Sequence, residues 1–485
     1  MSAAERIERG RLYIDGQWCA GERWEANLNP SDLSDRIGDY AWASAEHVAR
    51  AVAAARRALP AWARSNPQAR SDLLLRVAAL LREHSETMAA TIAREEGKTL
   101  KDARGEVLRS AQIFQYYAGE PLRARGQFLP SLRDGVDITV DHEPLGVVAL
   151  ITPWNFPLVT PAWKIGAALA YGNTMIYKPS EVTPGCSVLL TELLIEAGVP
   201  AGVFNLLLGS GAELAEDLIA GTDGVSFTGA TSIGRSVLER AARHMKRVQL
   251  ELGGKSPLVV LDDADLDLAV NVAFDGVVPQ TGQRCTASSR LIVQRGIHDA
   301  FVERLVARMR AVRVGHALDP DSEIGPVATA AQLDKDLRYI AQARLEGGEL
   351  ACGGERLTRE HEGYYLSPAL FVGTRNEMTL NCEEVFGPIA GVIAVDSLEE
   401  ACAAAVDSGY GLSSAICTRN LRHAEVFRRA STAGMVVVNA PTSGAEFHVP
   451  FAGRALSGYG APEQGTESAQ FFTQVKTTYV NHGVQ

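Results

Sequence analysis

Apolar and polar positions change their period several times along the chain, and those changes outline its architecture. Residues 11–43 read as short strands and turns; within 12–18 an Asp15-Gly16 pair stands between apolar residues, a hairpin signal. Then the period lengthens. Val48, Val52, Ala55 and Leu59 recur at helical spacing, Asn66-Pro67 supplies an N-cap and a first-turn proline, and Leu74, Val77 and Leu81 share one face of the following helix. Another long helix is predicted over about 101–117, where Arg109 reads first as a solvated helix charge. Between 120 and 142 the period falls to two: Asp134-Gly135 precedes Val136-Asp137-Ile138-Thr139-Val140, a strand with one apolar face. Residues 473–480 alternate in the same way. Edge strands without a covering helix are a hazard unless they pair, so 120–142 and 470–485 are expected to form an oligomerisation arm.

From Leu145 strand and helix alternate regularly. Residues 146–151, 174–177, 202–207 and 224–227 are short apolar runs, each followed by turn residues and a helical segment. That pattern predicts a parallel sheet of βαβ units, whose ligands bind beyond the carboxyl ends of its strands. After the first run comes Thr152-Pro153-Trp154-Asn155-Phe156-Pro157, where the Asn155 amide, set between two prolines, is an oxyanion donor or a turn asparagine. After the second, Lys178-Pro179-Ser180-Glu181 places a cation and a carboxylate at a helix start, able to hold ribose hydroxyls or phosphate. After the fourth, Phe227-Thr228-Gly229-Ala230-Thr231 turns into a helix whose N–H groups face an anion, without the usual GxGxxG spacing. The three together describe a dinucleotide site. A second sheet-and-helix region follows, with a helix near 299–309 and the run Glu383-Glu384-Val385-Phe386-Gly387-Pro388. The stretch Phe447-His448-Val449-Pro450-Phe451-Ala452-Gly453 gathers aromatic and imidazole groups.

Length and composition narrow the picture. A chain of 485 residues is expected to form two or three domains. Hydrophobic residues at 46%, charged residues at 22% and 45 glycines suit an α/β protein with many turns. The net charge of −11 argues against nucleic acid or an anionic membrane as a partner. No run reaches the roughly 18 apolar residues of a membrane span, and residues 1–10 lack the apolar core of a signal peptide. The seven cysteines, at 19, 186, 285, 352, 382, 402 and 417, form no CxxC pair, so neither a disulfide framework nor a metal site is expected and a reducing cytoplasm is the default.

One cysteine stands apart. Cys285 follows Gln280-Thr281-Gly282-Gln283-Arg284 and precedes the small residues Thr286-Ala287-Ser288-Ser289, with no apolar run around it. Its expected setting is a glycine-rich turn that starts a helix, where backbone N–H groups and a nearby cation favour the nucleophilic thiolate. The plainer reading is a small buried hydrophobe. A carboxylate lies upstream in Glu251-Leu252-Gly253-Gly254-Lys255.

Taken in order, Pro153-Trp154-Asn155-Phe156-Pro157, Lys178-Pro179-Ser180-Glu181, Phe227-Thr228-Gly229, Glu251-Leu252-Gly253-Gly254-Lys255, Gly282-Gln283-Arg284-Cys285 and Glu384-Val385-Phe386-Gly387-Pro388 resemble the motif series of the NAD(P)-dependent aldehyde dehydrogenase superfamily, across the chain from Tyr13 to Tyr479. Within it the similarity is greatest to the α-ketoglutaric semialdehyde (2,5-dioxopentanoate) dehydrogenases, carried by Asp134-Gly135-Val136-Asp137, Pro161-Ala162-Trp163-Lys164-Ile165 and His448-Val449-Pro450-Phe451. The resemblance implies an α/β fold: a Rossmann-type parallel-sheet cofactor domain (1–119 and 143–250), an α/β catalytic domain (251–440), and a bridging β-hairpin arm that joins subunits into a homodimer or homotetramer. It makes Cys285 the nucleophile, Glu251 the general base, Asn155 the oxyanion donor beside the Cys285 N–H, and Glu463 part of a proton relay. Trp154, Lys178, Ser180, Glu181, Gly229, Thr231, Glu384 and Phe386 become cofactor contacts. Glu181 would favour NAD by accepting a 2′-hydroxyl, whereas Lys178 and Ser180 would accommodate the phosphate of NADP if Glu181 swung aside. No metal is implied. Ala230 stands where many members have serine, and Ala452 and Ala455 where glycine and lysine are commoner.

The implied chemistry is addition of a thiolate to an aldehyde, loss of hydride to a nicotinamide, and hydrolysis of the thioester by water that Glu251 activates; a buried glutamate with a raised pKa suits that work. The expected substrate is a small aldehyde, a semialdehyde such as α-ketoglutaric semialdehyde, with succinic semialdehyde or an aromatic or aliphatic aldehyde as alternatives. Arg109 or Arg284 is expected to meet the distal carboxylate of a semialdehyde. The rival outside this class is a hydrolase pairing Cys285 with His448, which would leave Lys178 and Phe227-Thr228-Gly229 without a purpose.

Overall fold

The structure is a computed structural model that describes residues 9–123 and 126–483. The charged first eight residues, positions 124–125 of the expected arm and the last two residues lie outside the described part. Five parallel strands, Arg247–Glu251, Gly224–Thr228, Val147–Ile151, Thr174–Lys178 and Phe204–Leu206, lie side by side in that order within an eight-stranded sheet. Winding therefore proceeds one way from Val147–Ile151 and resumes on its other side with Gly224–Thr228. Such a reversal opens a crevice at the carboxyl edge of the sheet. Strand Phe204–Leu206 is shorter than the run 202–207 predicted for it.

Antiparallel strands complete both sides of this sheet. Leu12–Ile14 and Gln17–Cys19 form a hairpin turning at Asp15 and Gly16, both with positive φ (53° and 79°), the backbone an Asp-Gly turn is chosen for. On the opposite side Gly458–Tyr459 pairs with Arg247–Glu251, setting Gly458 against Glu251. Residues 441–469, which the sequence reading gave to no domain, thus return to the first sheet. Helices Ala45–Ala63 and Val159–Ala170 pack on the central strands. Pro67–Glu83 is capped by the Asn66 side chain and buries Leu74, Val77 and Leu81.

Strand Arg247–Glu251 ends at the carboxyl edge of the first sheet, and after Leu252, Gly253, Gly254 and Lys255 the strand Ser256–Val260 begins a second, seven-stranded sheet. Its neighbour there is Ser288–Gln294, so the Cys285 turn arrives at the amino edge of the second sheet. The helix near 299–309 begins earlier than predicted, as Arg295–Arg310. A separate three-stranded sheet joins Gly126–Pro130, Val136–Pro144 and Thr473–Asn481, the last two antiparallel from Thr473 opposite Pro144 to Asn481 opposite Val136. The two alternating segments that needed a partner have each other. Among the described residues no helix is long and apolar enough to cross a membrane.

Candidate active site

A cleft of about 530 Å³ opens where the carboxyl edge of the first sheet faces the amino edge of the second. Its walls include Trp154, Asn155, Gly229, Glu251, Cys285, Glu384 and Phe386. Lys178, Ser180, Glu181 and Thr231 are not on those walls; the first three follow the end of the strand beside Val147–Ile151, and Thr231 opens the helix Thr231–Arg243. Glu463 lies behind the wall, buried.

The turn carrying Cys285 differs from the expected one. No helix starts there: Cys285 lies between the short 3-10 turn Pro279–Gly282 and the strand Ser288–Gln294. Gln280, Thr281 and Gly282 are all left-handed (φ 55°, 55° and 67°), a strained run of the kind a surrounding structure must enforce. The Thr281 hydroxyl is tied to the Gly325 carbonyl at 3.0 Å, and the Gly387 carbonyl lies so close that no Cβ would fit on Gly282. Phe386, next to Gly387, is itself left-handed (φ 69°), and its ring meets Trp154 edge-on at 5.4 Å. Glycines 253 and 254 allow the other approach: a Cβ on Gly253 would collide with the Glu384 carboxylate, and one on Gly254 with the Cys285 carbonyl.

The expectation that a cation favours the Cys285 thiolate is also overturned. Burial, then the carboxylates of Glu384 and Glu251, push the thiol up to about 12, and N–H groups of Cys285 and Thr286 oppose them only in part. Arg284 is turned away, donating to Ser443 Oγ at 2.9 Å and to the carbonyls of Asp275 and Gly276 at 2.7 and 2.9 Å. Burial lowers its pKa to about 10.

Asn155 is held from two sides. Its Nδ2 donates to the Gln283 carbonyl at 2.9 Å, leaving the second proton of the amide. Its backbone carbonyl accepts from Lys98 Nζ at 2.6 Å. Lys98 also reaches Glu106 Oε2 at 2.7 Å, and Glu106 Oε1 accepts from the N–H groups of Leu158 and Val159 at 2.8 and 3.1 Å. Gln283 closes the loop through Glu96 at 3.4 Å and the Ala328 N–H at 2.9 Å.

Glu251 accepts from the Gly453 N–H at 3.2 Å. Burial, then the charge of Glu463, raise its pKa well above the usual carboxylate range, against the opposing pull of Lys164 and the Gly453 N–H. Behind it Lys164 Nζ bonds Glu463 Oε1 and donates to Ser226 Oγ at 2.7 Å; Ser226 donates to Gln249 Oε1 at 2.8 Å. Of this buried chain the sequence reading named Glu463 alone; the parts played by Lys164, Ser226 and Gln249 escaped it, although Lys164 is the one charge in the helix Val159–Ala170. Lys98, Glu106 and Gln283 left no comparable signal, because Glu95-Glu96-Gly97-Lys98 has the composition of a solvated turn.

The donor set suits a nicotinamide dinucleotide. Thr228 Oγ1 and Gln280 Oε1 are buried polar atoms on the cleft wall with no hydrogen-bond partner among the described residues, and such atoms call for one. Lys178 Nζ is already engaged with the Pro179 and Gly209 carbonyls and pairs with Glu181 at 3.6 Å, whose side chain remains 48% exposed. Burial lowers the pKa of Lys178 against the pull of Glu181. Among the described residues no group of three or more His, Cys, Asp or Glu could hold a metal ion.

Comparison with known proteins agrees with this architecture. The model of the aldehyde dehydrogenase family matches residues 18–478. An α-ketoglutaric semialdehyde dehydrogenase of Bacillus subtilis is 40% identical over 474 residues, 96% of this chain and 97% of that protein. An α-ketoglutarate semialdehyde dehydrogenase of Haloferax volcanii is 37% identical over 96% of this chain and 98% of its own length. The crystal structure of a betaine aldehyde dehydrogenase from Staphylococcus aureus in complex with NAD+ superposes with a TM-score of 0.96 at 33% identity, covering 100% of this chain and 97% of that one. An aldehyde dehydrogenase variant from Bacillus cereus superposes at 0.95 with 34% identity, over 99% and 98%.

Proposed function

Because the chain belongs to the aldehyde dehydrogenase family, we propose that it oxidises a semialdehyde, α-ketoglutaric semialdehyde in the first place, to the acid, with NAD+ preferred over NADP+. One observation carries this reading: Cys285, Asn155 and Glu251, from distant parts of the chain, line a single cleft. The Cys285 thiol, close enough to Glu251 to feel its charge, gives its proton to that carboxylate, which releases it before the later step, and the thiolate adds to the aldehyde carbon. The free amide proton of Asn155 and the Cys285 N–H hold the resulting oxyanion, and removing one such donor typically costs about 3 kcal/mol. NAD+, when bound, accepts the hydride that leaves. Glu251 then takes a proton from the water that attacks the thioester, the C–S bond breaks to release the acid and return Cys285 as thiolate, and the proton passes toward the Lys164–Glu463 pair behind Glu251.

Trp154, Gly229, Glu384 and Phe386 on the cleft wall would hold the nicotinamide half, with Thr231 near the pyrophosphate. Lys178, Ser180 and Glu181 beside the first strand would hold the adenosine half. Engagement of Lys178 by carbonyls and the exposure of the Glu181 carboxylate beside it support NAD, whose 2′-hydroxyl wants an acceptor. We assign 1–119 with 143–250 to cofactor binding, 251–440 to catalysis, and the three-stranded sheet to assembly of a homodimer or homotetramer. Seven free thiols fit a reducing cytoplasm.

The test is reduction of NAD+ and NADP+ by purified protein with α-ketoglutaric semialdehyde, succinic semialdehyde, pentanal and benzaldehyde. Highest kcat/KM for α-ketoglutaric semialdehyde with NAD+ is expected. No turnover of any aldehyde with either cofactor would overturn the reading.

A further inference from the structure

Helix Leu100–Tyr117 runs along the cleft and turns Lys101, Asp102, Gly105, Glu106 and Arg109 toward it, the spacing at which one helix face repeats. Their charges have different fates. Glu106 is occupied by Lys98 and two backbone N–H groups. Asp102 accepts from the Thr99 hydroxyl at 3.0 Å at the helix start. Arg109, half-buried, makes no hydrogen bond or ion pair among the described residues. Its guanidinium carbon rests 5.7 Å from the centre of the Phe447 ring, which is braced edge-on by Tyr116 and His448 at 6.1 and 5.5 Å.

Resting on the reading of this cleft as an aldehyde-oxidising site, we propose that Arg109 is the receptor for a carboxylate at the far end of the substrate. The cleft then takes aldehydes whose opposite end is an anion, with the aldehyde carbon at Cys285. A guanidinium has five N–H donors in a planar fork that matches a carboxylate bidentately, and here none is committed. The Phe447 ring lies against the guanidinium without taking any of its N–H donors, which remain for a ligand. A cation half out of water wants an anion, and the cleft wall supplies none to it. Arg284, the other arginine on the wall, has its amino groups turned to Ser443 and two backbone carbonyls, which makes it a brace of the Cys285 turn. Lys101, exposed on the same helix face, adds attraction for an anion without a fork to orient it.

The experiment compares wild type, Arg109→Leu, Arg109→Lys and Lys101→Gln on α-ketoglutaric semialdehyde and on pentanal. The ratio of kcat/KM for the carboxylated over the uncharged aldehyde should fall at least 30-fold in Arg109→Leu, chiefly through KM, recover in part in Arg109→Lys, and change little in Lys101→Gln. An unchanged ratio in Arg109→Leu, or a larger fall in Lys101→Gln, overturns the proposal. A second readout needs no turnover: glutarate should slow alkylation of Cys285 by iodoacetamide in the wild type and not in Arg109→Leu. Equal protection of both proteins, or of neither, overturns it. Absence of oxidation of every aldehyde, with glutarate protection intact, would instead overturn the proposed activity.

Discussion

At the scale of single residues the electrostatics of Cys285 run opposite to its expected chemistry, and the disagreement makes a prediction. Its thiol is raised to about 12 by burial and by the carboxylates of Glu384 and Glu251. In the ligand-free protein its alkylation by iodoacetamide should therefore climb about tenfold per pH unit from neutrality to above pH 9, since only the thiolate reacts. Glu384→Gln removes one raising charge and should speed the reaction at fixed pH; a rate plateau near pH 8 in the wild type would contradict the assignment. Glu251 has the same sign of shift for a different purpose. A base must be deprotonated, so with its pKa raised by burial and by Glu463, kcat should rise with pH through a limb above the ordinary carboxylate range. Glu463→Gln deletes a raising charge and leaves Lys164 pulling the other way, so that limb should move to lower pH. An unmoved limb in a full pH profile would mean that another group sets it. Residue identity announced Cys285, Glu251 and Asn155, and a raised pKa for a buried Glu251; it announced neither the upward shift of Cys285 nor the part of Lys164, because each depends on which charges end up together out of water.

At the scale of elements, strands, helices and caps were legible where local chemistry decides them. Asn66-Pro67 caps Pro67–Glu83, and Asp15-Gly16 turns a hairpin, as read. What eluded local reading is the charged stretch after helix Ser85–Glu96. Glu96 and Lys98 are buried and brace the Asn155 loop with Glu106, a use no periodicity reports. Lys98→Met would strand the Glu106 charge and leave the Asn155 carbonyl without its donor, a loss of about 3–5 kcal/mol. Adding Glu106→Gln should restore part of it, because the two changes share one interaction. Urea denaturation of the single and double variants measures both, and a double variant weaker than Lys98→Met by the full cost of Glu106→Gln would deny the coupling. The Cys285 turn failed as a helix start for a related reason: its left-handed run at Gln280, Thr281 and Gly282 packs against Gly387 and is bonded to Gly325, both far along the chain.

At the scale of the whole molecule the three-stranded sheet presents Leu129, Val475 and Tyr479 on one face to solvent at 40%, 62% and 58%, an apolar surface rarely left open on a lone chain. If it joins subunits, Val475→Asp with Tyr479→Asp should yield smaller species in sedimentation velocity; unchanged species would assign assembly to another surface. The sequence by itself determined the alternation of strand and helix, the strand ends at which to look, and the residues fit for the chemistry, because hydrophobic period, turn residues and side-chain reactivity are local properties of the chain. Only the tertiary structure decided that Glu251 leaves one sheet as Cys285 enters another across a shared cleft, that Arg284 is braced while Arg109 is free, and that Thr473–Asn481 finds Val136–Pro144. Those outcomes depend on which distant groups compete for the same hydrogen bonds and the same dry space, and that competition exists only once the chain has folded.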